Sequence, residues 1–133
     1  MTEPTLYPES GFRRLRIELA YDGTNFSGWA VQPDRRTVQA CVEEALSKIA
    51  RINVETIVAG RTDAGVHATG QVIHVDLPES LVLDDLVYKL NRLLDEDIRI
   101  HDISIATGAF HARFSALRRH YRYKILDANK VLG

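Results

Sequence analysis

The sequence predicts an α+β domain, an antiparallel sheet that carries two helices on one face. Apolar and polar residues alternate in four segments, as in half-buried strands: residues 13–21, 54–59, 70–77 and 98–105. Apolar residues recur at helical spacing in two segments, residues 37–51 and 83–94. The order strand, helix, strand, strand, helix, strand is that of the split βαβ arrangement, ferredoxin-like or RRM-like. The second face of this sheet is expected to be free.

Each helix has a sequence signal of its own. Thr37 is of a type that caps helix N-termini, so the first helix is expected to follow it. Its apolar stripe consists of Val38, Cys41, Val42, Ala45, Leu46, Ile49 and Ala50. The stripe of the second helix consists of Leu83, Leu86, Val87, Leu90, Leu93 and Leu94. Asp84 and Asp85 are expected in the first turn of that helix, where its dipole favours carboxylates. A fifth strand is predicted at residues 120–126.

Length and composition fit one domain, or part of a larger protein. The chain has 133 residues; residues 1–12 are expected to form a flexible tail and residues 13–133 a domain with a sizeable core. The single Cys41 excludes an internal disulfide, and there is no membrane-length apolar run or signal-peptide pattern. These features predict a cytoplasmic protein with no membrane partner.

The distribution of charge is more informative than its sum. The net charge of −1 gives no indication of a nucleic-acid partner. Residues 103–126, however, contain no acidic residue and carry Arg113, Arg118, Arg119, Arg122 and Lys124. Rings interleave with these cations, a composition that stacks bases and holds phosphates. Arg35 and Arg36, just before the first helix, could also reach phosphate. The alternative for all of them is an ordinary solvated face.

The connection at residues 60–70 has the richest chemistry. It contains three glycines, and Arg61, Thr62 and Asp63 bring a cation, a hydroxyl and a carboxylate together. A hairpin needs only about two to five turn residues, so this connection is longer than turning requires. Its composition alone is also that of a surface loop with a local ion pair. His67 and His74 do not predict a metal site, because zinc normally needs three or four ligands and no cysteine accompanies them.

Three motifs resemble the TruA family of tRNA pseudouridine synthases. Residues 60–67 read Gly-Arg-Thr-Asp-Ala-Gly-Val-His, and Gly-Gln-Val follows at residues 70–72. Residues 21–33 contain Tyr-Asp-Gly, then Phe-Ser-Gly-Trp and a Gln, as in the early segment of the family. Residues 110–123 resemble its Phe-His-Ala-Arg-Phe-Ser and Arg-Arg-Tyr-Arg-Tyr segment. One departure is His120, which separates the arginine pair from the first tyrosine.

The resemblance implies a reaction and a site. The family isomerises uridine to pseudouridine in the anticodon stem-loop of tRNA, without a cofactor, and works as a homodimer. Its motif aspartate, here Asp63, is catalytic, and the first tyrosine of its Tyr-x-Tyr pair, here Tyr121, lies against the target base. Arg61 either orients the RNA or pairs with Asp63. Family members are roughly twice this length, so the chain is expected to be the N-terminal half.

Two alternatives to an enzyme stay open. A non-catalytic RRM-like module would bind RNA on the free face of the sheet and would tolerate loss of Asp63. An inactive N-terminal fragment would expose a sheet edge that promotes self-association. The intact Asp63 motif favours the enzyme, because a protein that only binds a polyanion has no need of a carboxylate in its site.

Overall fold

The computed structural model describes residues 7–106 and residue 112. Its strands are β1 (Phe12–Tyr21), β2 (Thr56–Val58), β3 (Ala68–Pro78) and β4 (Ile98–Ile105). Its helices are α1 (Val38–Ala50) and α2 (Leu86–Leu93). The predicted order of strands and helices is confirmed; β2 is shorter than expected, and β1 begins one residue earlier. The predicted fifth strand, at residues 120–126, lies outside the described residues.

The four strands form one antiparallel sheet in the order β2-β3-β1-β4. The central strand β1 pairs with β3 on one side and β4 on the other, so that Leu15 lies opposite Val75 and Ile105. Helix α1 connects β1 to β2, and α2 connects β3 to β4; the two strands of each pair are not neighbours in the sheet. Strands β2 and β3, which no helix separates, are neighbours. This is the ferredoxin-like split βαβ topology that the sequence predicts.

The core lies between the sheet and the two helices. Side chains alternate across a strand, so Leu15, Ile17 and Leu19 share one face of β1, and all three are fully buried. The helices cover this face with Val38, Val42, Ala45, Leu46, Leu86 and Leu90. Thr37 caps α1 as expected: its hydroxyl accepts the amide N–H of Ala40 at 3.4 Å. Within the described residues, no helix has the length and apolarity to cross a membrane.

The second helix differs from its prediction at both ends. It begins at Leu86, so Asp84 and Asp85 precede it instead of lying in its first turn. Asp85 has left-handed backbone angles (φ 59°), and a left-handed residue cannot continue a right-handed helix. At the other end, Leu93 is 48% exposed. The helix stops there, and the extended backbone of Leu94 directs that side chain into the core instead.

The sheet face opposite the helices is not free where β1 and β3 pair. Arg14 and His74, which the alternation places on that face, are 4% and 3% exposed. The Arg14 guanidinium donates two hydrogen bonds to the Asp76 carboxylate, at 2.8 and 2.9 Å. The amide N–H of Ala112 donates to Nδ1 of His74 at 3.0 Å. The expectation of a bare face is therefore wrong at these positions, where Ala112 also lies against His74.

Candidate active site

Asp63 lies at the tip of the connection between β2 and β3, residues 59–67, which we call the Asp63 loop. Its side chain is exposed. The carbonyl oxygen of Asp63 accepts the amide N–H of Val66 at 3.1 Å, which closes a tight turn. Gly65 has φ +79° within this turn, a backbone conformation that glycine adopts without strain. The glycine of the motif therefore shapes the loop directly after the aspartate.

A second loop, residues 22–37 after β1, supports the first; we call it the Trp29 loop. Trp29 is 1% exposed, and its amide N–H donates to the carbonyl oxygen of Thr62 at 3.0 Å. The amide N–H of Gly65 donates to the carbonyl oxygen of Phe26 at 3.2 Å. Main-chain hydrogen bonds thus join the two loops on both sides of Asp63. The side chain of Trp29 belongs to the hydrophobic core.

The same loop also begins α1. The carbonyl oxygens of Gly28 and Trp29 accept the amide N–H groups of Val38 and Gln39, at 3.3 and 2.9 Å. The first amides of a helix have no partner within the helix itself. Residues 28–29 therefore satisfy the start of α1 with their carbonyl groups, while the amide of Trp29 binds the Asp63 loop.

Two glycines allow the loops to approach this closely. A Cβ atom built on Gly23 would lie 2.0 Å from the carbonyl oxygen of Val66. A Cβ atom on Gly28, which has φ +90°, would lie 2.8 Å from the carbonyl oxygen of Thr62. Both neighbours are backbone atoms, which cannot move aside as a flexible side chain can. The glycines of residues 21–33 are therefore required by contact with the Asp63 loop.

A buried set of polar side chains holds the segment just before Asp63. The hydroxyl groups of Tyr21 and Thr62 lie 2.7 Å apart, within hydrogen-bond distance. The side-chain amide of Gln71 donates to the carbonyl oxygen of Gly60 at 2.7 Å and to the Tyr21 hydroxyl at 3.3 Å. Tyr21 and Gln71 are 4% and 8% exposed. We name these four residues, Tyr21, Gly60, Thr62 and Gln71, the Tyr21 network.

His67 makes a further connection between the loops. Its Nδ1 accepts the amide N–H of Gly23 at 2.9 Å and lies 3.1 Å from a carboxylate oxygen of Asp22. The hydroxyl and amide N–H of Thr24 both donate to Asp22, and with a smaller contribution from His67 they lower the pKa of that carboxyl. The bond to Gly23 thus joins His67 of the Asp63 loop to the Trp29 loop. Among the described residues, no three His, Cys, Asp or Glu side chains lie close enough together to hold a metal ion.

The carboxylate of Asp63 has no hydrogen-bond or ion-pair partner in the part of the chain that the structure describes. Arg61 is also exposed, and it forms no ion pair with Asp63. The acid is thus presented to solvent on a loop whose backbone is fixed. This arrangement leaves the charge of Asp63 available to a ligand, and it leaves Arg61 available to orient one.

The two arginines before α1 differ in their surroundings. Arg36 donates to Asp97 at 2.8 and 3.2 Å and to Asp95 at 3.0 Å, and its guanidinium carbon lies 4.1 Å from the centroid of the Phe26 ring. The hydrogen bond to Asp97 is the main cause that raises the pKa of Arg36. Arg35 is exposed, with no side-chain bond to another described residue. Arg36 therefore connects the Trp29 loop to the segment between α2 and β4, while Arg35 faces solvent.

The remaining predicted site residues lie outside the described residues: Tyr121, Arg113, Arg118, Arg119 and Arg122. Conversely, the sequence did not point to the Tyr21 network or to the Asp22–His67 contact. Gln71 was one signal of the network, because a polar amide among Ile73, Val75 and Leu77 on the buried face needs a polar partner.

Comparison with known proteins agrees with the motifs and the fold. The described residues form a split βαβ domain that carries an aspartate on a fixed loop. A family model described as tRNA pseudouridine synthase matches residues 19–115. Because this match covers well over half of the chain, the protein belongs to the tRNA pseudouridine synthase family. The family resemblance carried by the three motifs is thereby confirmed.

Individual relatives are similar over most of this chain. A tRNA pseudouridine synthase A of Frankia casuarinae is 56% identical over 89% of this chain and 43% of its own length. Proteins of the same name from Corynebacterium glutamicum and Mycobacterium leprae are 54% and 49% identical, over 84% and 86% of this chain. The matches cover 42% and 45% of those two relatives. The chain therefore spans less than half the length of the curated relatives it matches.

Proposed function

We propose that this chain is the aspartate-bearing, N-terminal half of a tRNA pseudouridine synthase that isomerises uridine in the anticodon stem-loop, with Asp63 as its essential carboxylate. The observation that carries the proposal is the exposed carboxylate of Asp63 on a loop fixed by main-chain bonds to Trp29 and Phe26. A catalytic acid must be accessible to the substrate and held in one place, and both conditions are met here. The names of the relatives supply tRNA as the substrate class.

The reaction needs a carboxylate for a definite reason. The bond from ribose C1′ to uracil N1 breaks with its electron pair on the base, and positive charge develops at C1′. The base then turns, C5 bonds to C1′, and the proton of C5 is lost while N1 gains one. Asp63 can stabilise the charge at C1′, attack C1′ as a nucleophile, or remove a proton from C2′. The atoms balance without an oxidant or a cofactor, because the product is an isomer of the substrate.

The described sheet gives less support to an RRM-like binding module. RRM domains stack bases on rings exposed at the centre of their sheet. Here the equivalent face carries the Arg14–Asp76 ion pair on its two inner strands, together with buried His74. Phe12 lies on the same face by alternation, but only at the first position of β1. Among the described residues, the exposed Arg61 and Asp63 side chains of the Asp63 loop are therefore more suitable for a ligand than this face.

The partners follow from the same proposal. The target uridine has to leave the base stack to reach a carboxylate, so RNA contacts around the site are needed. We assign this contact to Arg61 and Arg35, together with the basic block at residues 113–124. Of the three candidate arginines that the structure describes, Arg36 is the one already bonded to carboxylates. Tyr121 would lie against the base. The complete protein is proposed to act in the cytoplasm as a homodimer, as the family resemblance implies.

The direct test is release of tritium from tRNA labelled at uracil C5. The C5 proton is lost to solvent only if C5 forms its new bond, so release reports the isomerisation itself. Wild-type chain is compared with Asp63→Asn, which removes the charge and keeps the shape. The matched control is Asp84→Asn, an equally exposed aspartate before α2. We expect release by the wild type and the control, and none above background by Asp63→Asn.

Two results would contradict the proposal. Full activity of Asp63→Asn would show that this carboxylate is not catalytic. Absence of release by the wild-type chain, with tRNA binding retained, would contradict catalysis by this half alone and would mean an RNA-binding half whose active site needs the rest of the protein. Binding is measured by fluorescence anisotropy with the same labelled tRNA.

A further inference from the structure

The Tyr21 network fixes the backbone on both sides of Arg61. Gln71 binds the carbonyl oxygen of Gly60, and Tyr21 lies against the side chain of Thr62. Thr62 is held a second time by its own carbonyl oxygen, which accepts the amide N–H of Trp29. Thr62 directly precedes Asp63 in the chain. The network therefore determines the backbone direction from which the Asp63 side chain projects.

The burial of Tyr21 and Gln71 favours one conformation of the Asp63 loop. Polar groups removed from water cost free energy unless they are hydrogen-bonded, so the Tyr21 hydroxyl and the Gln71 amide favour the loop conformation that pairs them. Their side-chain bonds are to Thr62, to Gly60 and to each other, and none is to the Asp63 side chain within the described residues. Because Tyr21 and Gln71 are 4% and 8% exposed, they present almost no surface to a substrate. Any effect they have on the reaction must pass through the loop backbone.

We propose that Tyr21 and Gln71 are positioning residues for Asp63. This inference rests on the proposed function, and it assigns to the two residues a role in the chemical step and none in contacting RNA. The Tyr21 hydroxyl holds Thr62, and the Gln71 amide holds Gly60. The carboxylate is thereby kept at one position relative to the ribose. Displacement by about 1 Å can cost roughly a hundredfold in rate, so a buried hydroxyl can matter as much as a group in contact with the substrate.

The first readout separates positioning from binding. Tyr21→Phe removes only the hydroxyl, and Gln71→Met removes the amide while keeping the length of the side chain. We expect kcat for tritium release to fall at least roughly tenfold in each variant, with KM for tRNA unchanged. The matched control is Tyr88→Phe, an exposed tyrosine on α2 whose hydroxyl accepts a hydrogen bond from Arg92. This control is expected to leave both constants unchanged.

The second readout does not depend on activity. Amide hydrogen exchange is followed at Trp29 and Gly65, whose N–H groups join the loops, and at residues in the middle of α1. Loss of one buried hydrogen bond should speed exchange at Trp29 and Gly65 by roughly two- to tenfold. Exchange in α1 should stay at the wild-type rate. The change would then be local to the Asp63 loop.

Three other results in a chain that releases tritium would overturn the proposal. Unchanged kcat and unchanged exchange in Tyr21→Phe would show that the hydroxyl does not position the loop. A rise in KM alone would assign the residue to RNA binding, and faster exchange throughout the chain would assign it to general stability. If the wild-type chain releases no tritium, the proposed activity of the chain fails, and exchange alone decides the question. Local acceleration would then support positioning, and its absence would exclude it.

Discussion

Gly28 lies directly against Thr62: a Cβ atom at residue 28 would come within 2.8 Å of the Thr62 carbonyl oxygen. This close approach to the residue that precedes Asp63 depends on the absence of a side chain at residue 28. Gly28→Ala should therefore destabilise the fold by about 2 to 4 kcal/mol, from left-handed strain and from the clash together. The measurement is the free energy of unfolding in urea.

Gly11→Ala is the matched control for this change. Gly11 has a similar φ, +86°, but a Cβ atom at residue 11 would have no atom within 4 Å. This variant should lose only the backbone contribution, about 1 kcal/mol. Equal losses in the two variants would show that the contact with Thr62 contributes nothing.

A second prediction concerns the ion pair between Arg14 and Asp76. Arg14 is 4% exposed, so its guanidinium depends strongly on the hydrogen bonds that the carboxylate accepts. Asp76→Asn should reduce the free energy of unfolding by about 2 kcal/mol, because the buried cation loses the facing charge. Glu44→Gln is the control, since Glu44 pairs with Lys48 on the surface of α1 at 3.2 Å. Exposed pairs of this kind contribute about 0.5 kcal/mol or less.

A third prediction separates the two arginines before α1. Arg36→Gln removes the bonds to Asp97 and Asp95 and the contact with Phe26, so it should lower stability by about 1 kcal/mol. Arg35→Gln should leave stability unchanged and weaken tRNA binding, because its charge faces solvent. Urea unfolding and tRNA anisotropy are measured for both variants. Equal effects of the two variants on tRNA binding would contradict this division of roles.

A fourth prediction follows from the lowered pKa of Asp22. In the folded protein the carboxyl should titrate below 3.8, mainly because the Thr24 hydroxyl donates to it. Since the folded pKa is depressed, the stabilisation is present above the unfolded pKa and is lost as pH falls through the folded value. NMR titration of the Asp22 carboxyl should show Thr24→Val moving the midpoint up towards 3.8. His67→Gln should move it less, and a larger shift in this variant would reverse the assigned order of causes.

The strands and α1 were predictable because one face of each is buried. Leu15, Ile17 and Leu19 alternate with polar residues, and burial in the core imposes this period. The start of α2 was not predictable in the same way. Leu83 continues the apolar stripe upstream of Leu86, and nothing in the pattern marks the left-handed backbone of Asp85 between them. Backbone conformation at a single residue decides such a boundary.

The sequence predicted only the site residues that lie within one local motif. Asp63 and its flanking glycines occur within one short segment, so the segment alone could point to a site. Tyr21 and Gln71 are 50 residues apart in the chain, and they meet because β1 and β3 are neighbours in the sheet. The contact between Ala112 and His74 was not predicted for the same reason, since Ala112 lies 38 residues after His74 in the chain. Contacts of this kind depend on the completed topology.

Residues 28–29 bond both to the Asp63 loop and to the first amides of α1. The mobility of the Asp63 loop is therefore coupled to that of α1. Trp29 cannot release Thr62 by moving away without also straining the bond between its carbonyl oxygen and Gln39. Lifting the loop would thus uncover the first amides of the helix, and fraying of that helix would in turn loosen the loop. A ligand that restrains Asp63 should therefore be detectable from a distance, as slower amide exchange in the first turn of α1.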